Sequence, residues 1–351
     1  MGVEGVSPAA RPQPTNRMPE FDVFRGFAAL SVLIFHYTYR FNELYGHAPS
    51  VVLTSSGPYG GIDMFFVMTG FLIYGILGRT PHGLDFVVSR VSRLYPAYWA
   101  AVACTFAVVT IFGLPDRGVS LLEALVNLSM LSVFLDVPYV DGVYWTLSLD
   151  ICFYAIMLAL YQFRQLHRIE LISALWLGGI VAVHALGVKL PIAVEVATLS
   201  EYGHLFIAGI IIYRITQQDG FTFARGAMLV ACVLTGWYIH GLRYGILDTA
   251  IVLIVFATTR GWLRWIALKP LMFLGSVSYS LFLLHQNIGY VILRETYAHG
   301  LNPYIGLFGA LALMLAAATL ITYYIELPAM RLARQWYKRF RDRLIAAPKI
   351  A

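Results

Sequence analysis

Apolar runs of membrane-spanning length alternate with short polar breaks along almost the whole chain. The alternation predicts ten helices, at roughly 21–43, 59–79, 93–113, 144–163, 169–187, 200–214, 226–240, 244–259, 271–294 and 304–325. The sixth, seventh and eighth runs are only about 15 residues long, so tilted or broken helices are expected there. No period of 20 to 50 residues recurs, and no inverted pair of interrupted helices is visible. Residues 1–19 are polar and proline-rich and lack an apolar segment followed by a cleavage site, which reads as a tail and not a signal peptide. A membrane domain over 20–328 follows, and 329–351 reads as a basic cytoplasmic tail.

The basic residues give this pattern an orientation. With the N-terminus in the cytoplasm, 19 of the 25 Lys and Arg fall in inside loops and tails, and Arg25 falls within the membrane. Five lie outside: Arg40, Arg117, Lys189, Arg243 and Arg294. That bias predicts both termini inside. The longest break, 114–143, is then external and acidic, with Asp116, Glu123, Asp136 and Asp141 against Arg117. Its apolar Leu121–Leu135 portion reads as a surface-lying helix, with a re-entrant span as the alternative.

Composition agrees with an all-α integral membrane protein: 59% of residues are hydrophobic, 13% are charged, and mean hydropathy is +0.70. The net charge of +6 is accounted for by topology and calls for no nucleic-acid partner. The run Arg331 to Arg343 suits contact with anionic lipid. Cys104, Cys152 and Cys232 lack metal or redox spacing and read as small buried hydrophobes.

Against this background two ionisable residues in the first run stand out, Arg25 and His36. Lipid solvates neither, so each is a functional candidate. Eleven helical steps separate them, which leaves them about 20° apart in azimuth and about 16 Å apart along the axis, on one face. Further motifs follow in order. They are Gly60-Gly61-Ile62-Asp63-Met64-Phe65-Phe66-Val67-Met68-Thr69-Gly70-Phe71, Ser89-Arg90-Val91-Ser92-Arg93-Leu94-Tyr95-Pro96-Ala97-Tyr98-Trp99, Tyr144-Trp145-Thr146-Leu147-Ser148-Leu149-Asp150, and Ser278-Tyr279-Ser280 running to His285. Arg90 and Arg93, three apart, face one way on a helix and suit a phosphate clamp. Glu326, just before Pro328, is expected at the inner interface in an ion pair with a basic neighbour.

This ordered set resembles the membrane acyltransferase 3 family, the polytopic bacterial O-acyltransferases that modify surface glycans. The resemblance covers nearly the whole chain. Thr69 stands where the family usually has serine, and Asp150 where it usually has glutamate. The chain stops soon after the tenth span, where longer members continue into an esterase-like domain.

The resemblance implies an O-acetyltransferase of the bacterial cytoplasmic membrane that moves acetyl from acetyl-CoA to a hydroxyl of a lipid-linked or surface polysaccharide, without a metal. His36 suits a general base or an acyl acceptor, since neutral imidazole titrates near neutral pH. Arg25 suits donor binding or electrostatic support, against a structural ion pair. Asp63 and Asp150 are expected at one outer depth, either of them orienting the imidazole, although Asp63 would also suit a helix cap. Arg90, Arg93, Tyr95, Trp145, Ser148 and His285 are assigned to the donor. Tyr139, Tyr144 and Trp145 offer faces for sugar rings. The rival readings are a proton-coupled carrier whose polar path uses the same residues, and a silent scaffold.

Overall fold

The computed structural model describes residues 18–47 and 60–346, and among these the regular elements are all helical. The predicted N-terminal tail, up to residue 17, lies outside the described residues, as does Lys349 of the basic tail. Helix α1 (Pro19–Phe35) opens with proline in its first turn and with Glu20 and Asp22 at its positive end, both favourable at a helix start. It continues through a π-helical turn, His36–Arg40, into a short helix at Phe41–Tyr45.

Next come α2 (Gly60–Leu77), α3 (Gly83–Phe112), α4 (Leu121–Asn127), α5 (Trp145–Gln162) and α6 (Ile169–Ala185). They are followed by α7 (Gly203–Tyr213), α8 (Phe223–His240), α9 (Leu242–Thr259), α10 (Lys269–Ala298), α11 (Pro303–Ile321) and α12 (Leu327–Ala346). A second π-helical turn, Thr322–Glu326, joins α11 to α12 without a break, so the described part of the basic tail is helical.

Each predicted run coincides with one long helix. Among the described residues eight helical segments are long and apolar enough to cross a membrane; α1 and α10, the latter with the buried polar run His285, Gln286 and Asn287, are not among them. The sixth run is short because its helix is broken. A segment at Ile192–Thr198 ends at Leu199, whose φ of 55° is left-handed, before α7 begins.

Helix α7 is buried along its whole length, packed against α2 on one side and against α6, α8 and α9 on the others. Helices α6, α8 and α9 turn large apolar side chains such as Leu171, Leu175, Leu234 and Leu253 outward, as lipid contact requires. Cys152 and Cys232 are buried, but Cys104 is exposed on the outward side of α3, so only two of the three cysteines are core residues.

Two crossings are close because glycine removes a side chain from the interface, the usual device for helices packing in lipid. A Cβ on Gly275 of α10 would overlap the Asp22 carbonyl of α1. One on Gly209 of α7 would overlap the Val67 carbonyl of α2.

The segment between α3 and α5 carries the expected short helix, with Ala124 and Asn127 buried and Leu121, Leu122 and Leu125 exposed. Tyr95, Tyr98 and Trp99 of α3 donate hydrogen bonds to the carbonyls of Ser129, Asn127 and Leu128, at 3.0, 2.7 and 3.0 Å. Those aromatic residues lie roughly 20 to 26 Å along α3 from its end at Phe112. The segment therefore folds back along α3 as a re-entrant stretch, its last α4 carbonyls taken by aromatic donors. Ser120 and Glu123 form a capping box at the start of α4, and Asp136 occupies a left-handed turn with φ of 51°. Much of the loop's acidity thus serves caps and turns.

Replacing Gly275 by alanine should push α1 away from α10 and cost about 1–3 kcal/mol, seen as a lower melting temperature in detergent. Gly178→Ala on α6, where a Cβ meets nothing within 4 Å, is the control and should leave the transition in place.

Candidate active site

Taking the end at which α1 starts as the near end, two cavities are stacked along the bundle and share Ile62 as a common wall. The near cavity, about 120 Å³, is lined by Arg25, Arg90, Arg93, Asp150, Tyr154 and Tyr279, with Phe65 and Phe282 closing its apolar side. The far cavity, about 360 Å³, is lined by His36, Asp63, Arg117, Trp145, Tyr202 and Gln286. Arg25 and His36 thus face one shaft at two depths.

The far cavity is organised around a histidine pair. His36 Nδ1 lies 2.8 Å from the Val32 carbonyl oxygen and 3.3 Å from His285 Nε2. A carbonyl oxygen only accepts, so Nδ1 carries the proton and the basic lone pair of His36 is on Nε2. His285 repeats the pattern, its Nδ1 donating to the Phe282 carbonyl at 2.7 Å while Nε2 accepts from His36. A backbone carbonyl and a second histidine orient the His36 imidazole at Nδ1, where a carboxylate was expected.

The stretch of α10 that carries His285 is held in turn by side chains from other elements. The Tyr37 hydroxyl donates to the His285 carbonyl at 2.9 Å, and the Tyr144 hydroxyl donates to the Leu283 carbonyl at 3.2 Å. Asp141 accepts from Asn287 N at 2.9 Å and from Val143 N at 3.2 Å. These side chains bond backbone groups of a helix that stays continuous from Lys269 to Ala298. Tyr144, expected as a sugar platform, is buried in this role, and Tyr139 bonds Ser148.

Asp63 and Asp150 do not share one depth. Asp63 is the fourth residue of α2 and lines the far cavity, whereas Asp150, some 12 Å from the start of the Gly142–Gln162 span, lines the near one with the arginines. Both spans begin at the far end, but the second begins within the bundle, because the segment before it is re-entrant.

The donor assignments also divide. Arg93 is ion-paired with Glu326, which is fully buried, and its guanidinium lies 5.3 Å from the Tyr279 ring centre. Glu326 accepts from Ser280 at 3.1 Å, and Thr322 donates to Ser280 at 3.0 Å. Glu326 is thus fully buried, and the basic partner expected for it is Arg93. Arg25 lies 3.8 Å from Asp22. Asp150 Oδ1 and Arg90 Nε are buried without hydrogen-bond partners among the described residues. A ligand that both donates and accepts would satisfy them.

Tyr95 and Ser148 reach neither cavity. Both bond the re-entrant segment, Ser148 through the Met130 carbonyl at 3.1 Å. Trp145 lines the far cavity and His285 supports its base.

Sequence reasoning passed over Arg117, Gln286, Tyr202 and Asp141. The polar run His285-Gln286-Asn287 inside an apolar stretch was a usable signal for Gln286. No local signal marks Asp141 or Tyr202.

Comparison with known proteins agrees over most of the chain. Residues 18–327 match the family described as Acyltransferase domain (Acyl_transf_3). The exopolysaccharide production protein ExoZ of Rhizobium meliloti (strain 1021) is 28% identical over 310 residues, which is 82% of this chain and 92% of ExoZ. YrhL of Bacillus subtilis (strain 168), named as a peptidoglycan O-acetyltransferase, is 31% identical over 102 residues, 27% of this chain and 14% of YrhL. No solved structure shows a significant match.

Burial pushes the Asp141 carboxyl up to about 7, against the pull of the Asn287 and Val143 N–H donors. A raised carboxyl stabilises the fold fully below its ordinary pKa near 4, and that contribution is lost as pH rises through about 7. The melting temperature of the wild type should therefore fall relative to that of Asp141→Asn between about pH 5 and pH 8. Parallel curves would show that the carboxyl titrates normally.

Proposed function

We propose, from the premise that this chain belongs to the Acyl_transf_3 acyltransferase family, that it moves an acyl group, acetyl in the simplest case, from cytosolic acyl-CoA to a hydroxyl of a lipid-linked or surface polysaccharide. The observation that carries this reading is the pair of cavities meeting at Ile62, one lined by guanidinium groups and the other by a histidine base. In this reading ten helices span the bacterial cytoplasmic membrane, both termini lie in the cytoplasm, and the near cavity faces the cytosol.

Arg25 and Arg90 take the donor's phosphates, with Arg93 shared between donor and Glu326. The pantetheine arm runs past Asp150 toward Ile62, over the ~16 Å that separate Arg25 from His36 along a helix. The acceptor enters the far cavity.

His36 Nε2 takes the proton of the acceptor hydroxyl as its oxygen attacks the thioester carbonyl. A tetrahedral oxyanion forms beside the Gln286 amide, the C–S bond breaks, and the departing thiolate receives the proton that His36 carried. One ester and one thiol form, with no net proton released. A covalent variant, in which Nε2 attacks first and acyl-imidazole then meets the hydroxyl, uses the same geometry.

Transfer of radiolabelled acetyl from acetyl-CoA by protein in proteoliposomes tests the reading. His36→Ala should lower kcat by a factor of about 100 or more at unchanged thermal stability. Arg90→Ala should raise the KM for acetyl-CoA by about tenfold or more, leaving kcat nearly constant. Substrate flux without a thioester donor, at equal rates in wild type and His36→Ala, would move the protein to the carrier class. Label retained on wild type but not on His36→Ala in a single turnover would select the covalent route.

A further inference from the structure

The far cavity holds a positive charge that the transfer chemistry leaves unused. Arg117 comes from the stretch between α3 and α4, is half-buried, and reaches the cavity beside Gln286. Both side chains lie over the backbone of Gly142, where a Cβ would come within 2.7 Å of Gln286 Nε2 and 3.2 Å of Arg117 Nη1. Any larger residue at 142 would displace them.

Among the described residues no carboxylate lies within ion-pair distance of Arg117, unlike Arg25, Arg40 and Arg93, which pair with Asp22, Glu43 and Glu326. Asp141, whose charge Arg117 feels, is committed to the backbone N–H groups of Asn287 and Val143. Asp63 and Arg40 line the same cavity, Arg40 while paired with Glu43.

The other walls fit a sugar. Trp145 and Tyr202 present rings 5.4 Å apart at 41°, a pair of apolar faces for the C–H side of a pyranose. Gln286 offers both a donor and an acceptor to hydroxyls. A guanidinium beside such a seat binds a carboxylate or phosphate through two parallel N–H···O bonds, which an ammonium cannot reproduce.

We propose that the acceptor is a saccharide bearing an oxyanion, carboxylate or phosphate, close to the hydroxyl that is acylated, and that Arg117 selects it. The proposal rests on the reading that the far cavity is the acceptor side.

Binding of small probes by saturation-transfer NMR to protein in nanodiscs tests it without requiring turnover. The probes are methyl β-D-glucuronide, glucose 6-phosphate and the neutral methyl β-D-glucoside. The wild type should bind at least one anionic probe about tenfold or more tighter than the neutral one, and which anion gains tells carboxylate from phosphate. Arg117→Gln should erase the preference, Arg117→Lys should restore part of it, and Arg243→Gln should leave it intact. Equal melting temperatures keep loss of fold apart from loss of charge.

Equal affinity for all three probes in a wild type that turns over acetyl-CoA overturns the proposal and spares the acyltransferase reading. Displacement of the probes by coenzyme A also overturns it, since the cavity would then hold the donor. A preference lost in Arg117→Gln upholds the anion site even where no acetyl transfer is found, and the reading of function fails instead.

Discussion

Polar groups in a membrane bundle have no water to fall back on, and the structure depends on how α10 meets that constraint. Around residues 283 to 287 its backbone is bonded by side chains from elsewhere: Tyr144 on the Leu283 carbonyl, Tyr37 on the His285 carbonyl, Asp141 on the Asn287 amide. Each contact both satisfies a backbone group and fixes a position. Together they tie α1, the re-entrant segment and α10 into one unit, with His285 beside His36. The His36 imidazole is thus oriented by the same bonds that hold the helices together.

Charge is distributed along the bundle with the same economy. At the near cavity three guanidinium groups meet Asp22, Asp150 and Glu326, so repulsion among the arginines is offset without being cancelled. The Arg93–Glu326 pair, with Ser280 and Thr322 behind it, anchors the π-helical turn where α11 becomes α12. A second π-helical turn begins at His36 itself. A third, Arg214–Gln218, follows α7 and borders neither cavity.

The glycine crossings complete this frame. Apolar burial drives little association when lipid is as apolar as leucine, so close approach of backbones has to supply contact energy. Gly275 lets α10 approach α1 at the level of Asp22, well below the histidine pair. Helices α6, α8 and α9, by contrast, keep open apolar faces and stand apart from both cavities.

What the sequence determined by itself follows from local rules. The apolar runs became helices, eight of the described segments long and apolar enough to cross a membrane, because span length and hydropathy are properties of each segment alone. Arg25 and His36 were legible because an ionisable residue in such a segment is costly wherever it packs. The arginines at 90 and 93 share a cavity because helical spacing puts them on one side.

Tertiary structure decided the rest. Tyr95 and Ser148 left the site because their hydroxyls found carbonyls of a segment that no local pattern marks as re-entrant. That same dip set the start of α5 within the bundle and so parted Asp150 from Asp63. His285, Asp141 and Arg117 acquired their places through contacts between residues more than a hundred positions apart, or through a loop folded over Gly142. Periodicity within one helix carries no information about such contacts, because they are fixed by which helices become neighbours.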